Sequence, residues 1–265
     1  MREGRAPAGS YTDDTQMMIG LAESLLRCGR VEEQDLAGAF LARYDERRGY
    51  GSGTKTVLSL WEAGVPLSEA AGRVLDGEGS PSNGAAMRVA PVAVRFFRDE
   101  ARVITEALRS ALLTHAHPEG AYGAVVQAAA VAAALAGHDP LAAAHAAASV
   151  DSLRRRLEDL AGTRLDPCKL GGPDRRVAHT ATASVPVAVV VGSHAQSFEQ
   201  AVTVAVRCGG DTDTVAAMAG AIAGARFGAS SIPARWYAAP EDGQHGRTHV
   251  ERLAISLAEA ASDSD

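Results

Sequence analysis

The chain has 265 residues, 46% of them hydrophobic, and a formal net charge of −6. That length and apolar content fit a folded globule with a sizeable core and exclude a disordered chain. The acidic balance argues against a general nucleic-acid binder.

Three cysteines, Cys28, Cys168 and Cys208, are widely spaced with no CxxC pair, so neither a disulfide framework nor a zinc knuckle is indicated. The first ten residues, MREGRAPAGS, lack the apolar core of a secretion signal. The longest apolar stretch, Ala121–Ala136, is mostly alanine, contains Gln127 and falls short of the roughly 20 residues that span a bilayer. A cytoplasmic protein is expected.

In chain order, the first notable segment is Tyr11-Thr12-Asp13-Asp14-Thr15-Gln16-Met17, two adjacent carboxylates with hydroxyls directly before a helical pattern. Residues 15–28 place Met18, Leu21 and Leu25 on one face, with Gly29 as the stop. Residues 31–44 repeat the pattern through Leu36, Phe40 and Leu41. Arg48-Gly49-Tyr50-Gly51-Ser52-Gly53-Thr54 is a loop with alternating glycines, by itself a turn more often than a phosphate cradle. Residues 54–64 and 66–77 read as two short helices, followed by a polar break over 76–82. Ser82-Asn83-Gly84 is expected to open a further helix, and Pro91 to kink or end it. The free N–H groups of such a helix start suit an anion; ordinary capping by Ser82 or Asn83 accounts for the same residues.

Residues 99–114 form an amphipathic pattern that runs into Thr114-His115-Ala116-His117-Pro118-Glu119. The HxH pair has no third ligand at a supporting spacing, which weakens a zinc reading. Residues 118–137 and 140–161 supply further helices, with Arg154-Arg155-Arg156 on a solvated face. Residues 162–180 are the longest irregular connection. Val185–Val191 (VPVAVVV) is a strand by propensity. Helical period returns over 197–207 and 247–261, and the acidic SDSD end is expected to fray. No repeat or interdomain linker is visible, so residues 1–265 are expected to form one domain.

The most informative stretch is Gly209–Gly228, GGDTDTVAAMAGAIAGARFG. Two glycines free the backbone to bring Asp211, Asp213 and Thr214 to one point. Val215, Met218 and Ile222 then form an apolar row. Ala216, Gly220, Gly224 and Gly228 form a second row that predicts a close helix–helix approach. Alone, Asp213 is readable as an N-cap. Together with Asp13 and Asp14 it suggests more, because four carboxylates sharing one site repel one another unless cations intervene. Hard oxygen ligands favour Mg²⁺ or Mn²⁺ over Zn²⁺.

YTDDTQM and GGDTDTVAAMAGAIAGA resemble the signature pair of the ADP-ribosylglycohydrolase family, and RGYGSGT (48–54), SNGAAMRVAP (82–91), THAHPEG (114–120), SFEQAVTVAV (197–206) and IPARW (232–236) follow in the family's order. The resemblance implies a compact, all-α orthogonal helical bundle, which overrides the strand propensity of 185–191. It also implies a central binuclear site holding two Mg²⁺ or Mn²⁺ ions, with Thr12, Asp13, Asp14, Asp211, Asp213 and Thr214 as ligands. Asp13 or Asp14 would also orient or deprotonate the attacking water. Gly51, Ser52, Gly53, Ser82, Asn83, Gly84 and His115 would line the substrate cleft.

The implied activity is hydrolysis of the C1″ glycosidic bond between ADP-ribose and an acceptor, the acceptor being arginine, serine, acetyl, polymer or nucleic acid. Relatives carry a helix and an acidic residue upstream of the TDDT motif; here Glu3 is the sole acid in the eleven residues before Thr12. That departure leaves open a weakly active or non-hydrolytic ADP-ribose-binding member, or a metal hydrolase of a related nucleotide or glycoside.

Overall fold

The computed structural model describes residues 7–172 and 176–262. Glu3 and the last three residues of the acidic end lie outside them. Fifteen α-helices, joined by short turns, make up the described fold, in which no strand forms. Isolated bridges pair Ser82 with Thr180 and Val177 with Gly210. The fold is all-α, as expected.

The first half comprises α1 (Asp13–Cys28), α2 (Glu33–Arg43), α3 (Ser52–Glu62), α4 (Leu67–Ala70), α5 (Ala90–Phe96), α6 (Glu100–Leu112) and α7 (Pro118–Leu135). Then come α8 (Pro140–Ala147), α9 (Asp151–Ala161), α10 (Pro167–Leu170), α11 (Ala181–His194), α12 (Phe198–Arg207), α13 (Thr212–Phe227), α14 (Ala234–Ala238) and α15 (Arg247–Ser262). The hub is α7, which packs against α5, α6, α8, α9, α11 and α13. Its sequence is apolar on every side, and such a helix has to be enclosed by others. Small alanine side chains let those neighbours approach. No described helix is long and apolar enough to cross a membrane.

The valine-rich segment is helical: α11 carries Val185, Val187, Val189, Val190 and Val191, each at most 1% exposed. Complete burial favours the β-branched side chains here, and packing outweighs their strand propensity.

Three local expectations are corrected. Residues 66–77 break into α4 and two 3₁₀ turns, with Leu75 and Asp76 at positive φ (51° and 56°). Residues 140–161 divide into α8 and α9 because Ala148 leaves the helix at ψ 79°. Ser82-Asn83-Gly84 does not open a helix. Turns run from 83 to 88, and Pro91 lies in the first turn of α5, where its missing N–H costs nothing. The reason is Arg88, fully buried, whose guanidinium takes the Gly84 carbonyl (3.2 Å), the Ser110 carbonyl (3.0 Å) and Thr114 Oγ1 (2.7 Å). An anion site at a helix start is therefore absent at this segment.

Candidate active site

The two acidic motifs meet at the N-terminal ends of α1 and α13. Thr12 precedes α1, and Asp13 and Asp14 occupy its first turn. Asp211 precedes α13, Asp213 stands in its first turn, and Thr214 is buried behind them. Gly210 makes this approach possible: at φ +78°, a Cβ there would lie 2.1 Å from the Val177 carbonyl oxygen. The Asp211 N–H donates to that same carbonyl at 2.9 Å.

The electrostatics of the cluster follow from burial. Asp14 is 4% exposed, and its pKa is pushed up to about 7 by burial first, then by the negative charges of Asp13 and Asp213. Thr12 Oγ1 donates to Asp14 Oδ2 at 2.8 Å, but Asp14 Oδ1 is buried with no hydrogen-bond partner. Asp13 is pushed up to about 6, again by burial, with Asp213 and Asp211 adding to it. Asp211 is raised by burial, opposed by the hydrogen bond that Asn83 donates to it. Both helix N-termini also direct their positive dipole ends at these carboxylates.

Asn83 is the pivot between the segments. Its Nδ2 donates to Asp211 Oδ2 (2.7 Å) and to Ser184 Oγ (3.1 Å), while its backbone N–H donates to the His179 carbonyl (2.9 Å). Ser82 Oγ bonds His115 Nε2 at 2.9 Å, and His115 Nδ1 bonds Thr114 Oγ1 at 2.7 Å. His115 is 1% exposed, and burial pushes its pKa down to about 3. It stands behind the Ser82–Gly84 segment as a neutral ring with both nitrogens engaged, rather than on an open cleft wall. Gly84 leaves it that room: a Cβ there would come 3.1 Å from the ring.

The 48–54 loop lies against α1. A Cβ on Gly49 would be 3.8 Å from Asp13 Oδ1, and Tyr50 OH donates to Gln16 Oε1 at 2.9 Å. Gly51 and Ser52 are exposed, with Gly51 capping α3. Gly53 faces Ser80, whose Oγ a Cβ there would meet at 3.5 Å.

Similarity to known proteins extends over almost the whole chain. The sequence profile of the ADP-ribosylglycohydrolase family matches residues 1–265. ADP-ribosylhydrolase ARH3 of Bos taurus and of Homo sapiens are each 33% identical, over 96% of this chain and 79% of those proteins. The chain belongs to the ADP-ribosylglycohydrolase family. ADP-ribosylarginine hydrolase Tri1 of Pseudomonas putida (strain GB-1) is 27% identical over 98% of this chain and 69% of that protein. A solved ADP-ribosylglycohydrolase-related protein complex superposes with a TM-score of 0.76 at 29% identity, covering 96% of this chain and 83% of its own.

As an ADP-ribosylglycohydrolase-family hydrolase, the chain offers a donor set suited to hard divalent cations. Buried carboxylates with mutually raised pKa values, and an unpartnered buried oxygen on Asp14, leave negative charge unbalanced. Thr12 and Thr214 add hydroxyls. Among the described residues, three candidate ligand atoms lie within 4.8 Å of one another at Glu23, His245 and His249, and not at the four carboxylates.

Several supporting residues escape the sequence signals. Arg48 donates to the Tyr11 carbonyl at 3.0 Å, stacks 3.9 Å above the Tyr11 ring and pairs with Glu241. Glu241 in turn accepts from the Tyr11 N–H at 2.9 Å. This clamp fixes the chain just ahead of Asp13. Arg48 lies in the glycine loop motif, but its partner is 193 residues away in sequence. Ser184 lies within the valine-rich stretch, where nothing marks it as polar support.

Proposed function

We propose that this chain hydrolyses the C1″ glycosidic bond joining ADP-ribose to an acceptor, with divalent cations held by Thr12, Asp13, Asp14, Asp211, Asp213 and Thr214. The observation that carries the proposal is the buried, unpartnered Asp14 Oδ1 within a group of four mutually repelling carboxylates. Family membership and the relatives named for ADP-ribose hydrolysis support the substrate class. Two Mg²⁺ or Mn²⁺ ions bound there would neutralise the cluster, hold ribose hydroxyls and acidify a water.

The chain's own residues divide the remaining work. Breaking a glycosidic bond builds positive charge on the sugar, and ionised Asp13, Asp14, Asp211 and Asp213 surround that position with negative charge. Asp13 or Asp14 would orient the attacking water or take its proton, a role best filled by a carboxylate oxygen that the cations leave free. Asn83 fixes the Asp211 carboxylate, and the Arg48–Glu241 clamp fixes the Tyr11–Thr12 backbone. Both hold the ligand set in advance of substrate. His115, buried with both ring nitrogens hydrogen-bonded to Ser82 and Thr114, supports the SNG turn rather than supplying the acid or base.

The test is a panel of ADP-ribosyl adducts of arginine, serine, acetate, protein polymer and nucleic-acid ends, incubated with protein loaded with Mg²⁺ or Mn²⁺. Release of ADP-ribose from at least one adduct, abolished by chelator, is expected. Intact adducts throughout, with metal bound, would rule the hydrolase reading out.

A further inference from the structure

A second cluster of potential ligands lies outside the acidic site. Glu23 is ten residues along α1 from Asp13, about 15 Å at helical rise. His245 and His249 sit four residues apart where the chain winds into α15. The Gly246 carbonyl accepts from the N–H groups of His249 (3.0 Å) and Val250 (3.1 Å), so the winding already has helical pitch. Residues at this spacing share a face, and the two imidazoles meet edge to face with centroids 5.4 Å apart.

We propose that Glu23, His245 and His249 form a site for one zinc-class transition-metal ion that ties α15 to α1. One ligand atom from each lies within 4.8 Å of the others, and all three residues are half-buried. His249 Nε2 is already 2.8 Å from Glu23 Oε1. His245 Nδ1 is buried without a hydrogen-bond partner, so this ring has no role in the hydrogen-bonded structure that explains its placement.

Two imidazoles and one carboxylate suit a borderline ion rather than Mg²⁺ or Ca²⁺. With metal–ligand bonds of about 2.0–2.1 Å, tetrahedral ligands stand about 3.3 Å apart. Binding would draw the three groups to that separation, a change of at most about 1.5 Å from the 4.8 Å within which they already lie. Three protein ligands leave the fourth position open, and beside them a cavity of about 490 Å³ is lined by Glu23, Arg27, Asp35, Arg43 and His245.

Arg43 shapes the affinity. Its Nε donates to Glu23 Oε2 at 2.9 Å, and its Nη2 pairs with Glu23 Oε1. It orients the carboxylate as second-sphere partners of metal ligands do, while its positive charge opposes a cation. The site is therefore weaker than one without a neighbouring guanidinium. The ion would work as a staple: α15 is the C-terminal helix of the described chain, and α1 carries Asp13 and Asp14.

The test uses the full, metal-stripped chain in excess Mg²⁺, titrated with Co²⁺ followed by optical absorption and with Zn²⁺ followed by calorimetry. One equivalent of each should bind, Co²⁺ giving the intense visible bands of a tetrahedral site. His245→Ala should weaken binding about tenfold or more while lowering the metal-free melting temperature by no more than the loss of its ring contact with His249, because His245 makes no hydrogen bond. His249→Gln, which keeps a donor toward Glu23, should weaken binding comparably, whereas Asp213→Asn should leave it intact. Absence of tetrahedral Co²⁺ bands in the wild type, or undiminished binding in both histidine variants, would overturn the assignment.

Discussion

Asn83 Nδ2 donates to Asp211 Oδ2 at 2.7 Å, joining the SNG turn to the DTDT motif across 128 residues of sequence. The same amide nitrogen also reaches Ser184 Oγ, so its donor capacity is directed into the protein. Asn83→Ala should remove one of the two side-chain donors of Asp211, leaving Thr214, and raise the carboxylate's pKa further. Loss of a buried hydrogen bond to a charged group costs about 1.5–3 kcal/mol, reduced where water enters in its place. The expected result is a lower denaturation midpoint and weaker divalent-cation binding by calorimetry. Wild-type cation affinity in this variant would show that Asp211 needs no positioning.

The raised pKa values of Asp13 and Asp14 set the sign of a pH effect. Their folded values, about 6 and about 7, lie above the ordinary 3.8. Folding therefore favours the protonated form, and this stabilisation is fully present below pH 3.8 and lost as pH rises through 6 to 7. Paired acids such as Asp35 and Glu241 are shifted down, so their contribution is lost only as pH falls below the ordinary carboxylate range. His115, whose pKa burial pushes down to about 3, and His245, also pushed down, act in the opposite sense up to the ordinary 6.5, so the carboxylate effect is read against Asp14→Asn. With chelator present, the wild-type melting temperature should fall relative to that variant between pH 5 and about pH 7.5. Saturating Mg²⁺ should flatten that difference. A metal-free wild type that gains on Asp14→Asn over this interval contradicts the repulsive cluster.

Arg88 is the buried hub behind the SNG turn. Burial holds its pKa down at about 9, and its contacts are carbonyl and hydroxyl oxygens, the Met17 sulfur and the Phe40 ring, with no carboxylate among them. Arg88→Ala should destabilise by about 3 kcal/mol or more, from a cavity plus the buried Gly84 and Ser110 carbonyls losing their donor. Arg88→Lys should recover little, because a point ammonium cannot reach the acceptors that the guanidinium fork spans. Urea denaturation of both variants checks this; near-wild-type stability in the lysine variant contradicts it.

Much of the fold was legible as hydrophobic period. The apolar row Val215, Met218 and Ile222 is buried, each at most 1% exposed. The small-residue row beside it packs on a partner helix, as expected, but not at its tightest. Gly220 and Gly224 face Phe198 and Val202 of α12, where a Cβ would make ordinary contact at 3.6–3.9 Å. The close approach falls on Gly192 of α11, where a Cβ would be 2.7 Å from Ile222 Cβ. A glycine row shows that side chains are small, and only the partner helix decides whether space is tight. The SNG turn was misread for a related reason: small residues resemble a helix start, and the buried Arg88 that takes the Gly84 carbonyl carries no local signal. The acidic motifs were legible as residues, but their meeting depends on Gly210 passing under Val177, a tertiary contact.

That distinction gives a paired test. Gly220→Ala should stabilise by up to about 1 kcal/mol through helix propensity. Gly192→Ala should destabilise by about 1–3 kcal/mol through overpacking. Equal effects of one sign in thermal denaturation would refute the packing assignment.

The most direct test of the acidic centre compares wild type with Asp213→Asn on one cleavable ADP-ribosyl adduct, counting bound Mn²⁺ and released ADP-ribose in the same samples. Asp213 stands exposed at the mouth of the cluster, so its amide variant should fold normally. The account predicts Mn²⁺ affinity lowered about tenfold or more and ADP-ribose release lost in Asp213→Asn, with wild-type release dependent on Mn²⁺ or Mg²⁺. Unchanged Mn²⁺ stoichiometry and affinity together with undiminished release in Asp213→Asn would contradict it.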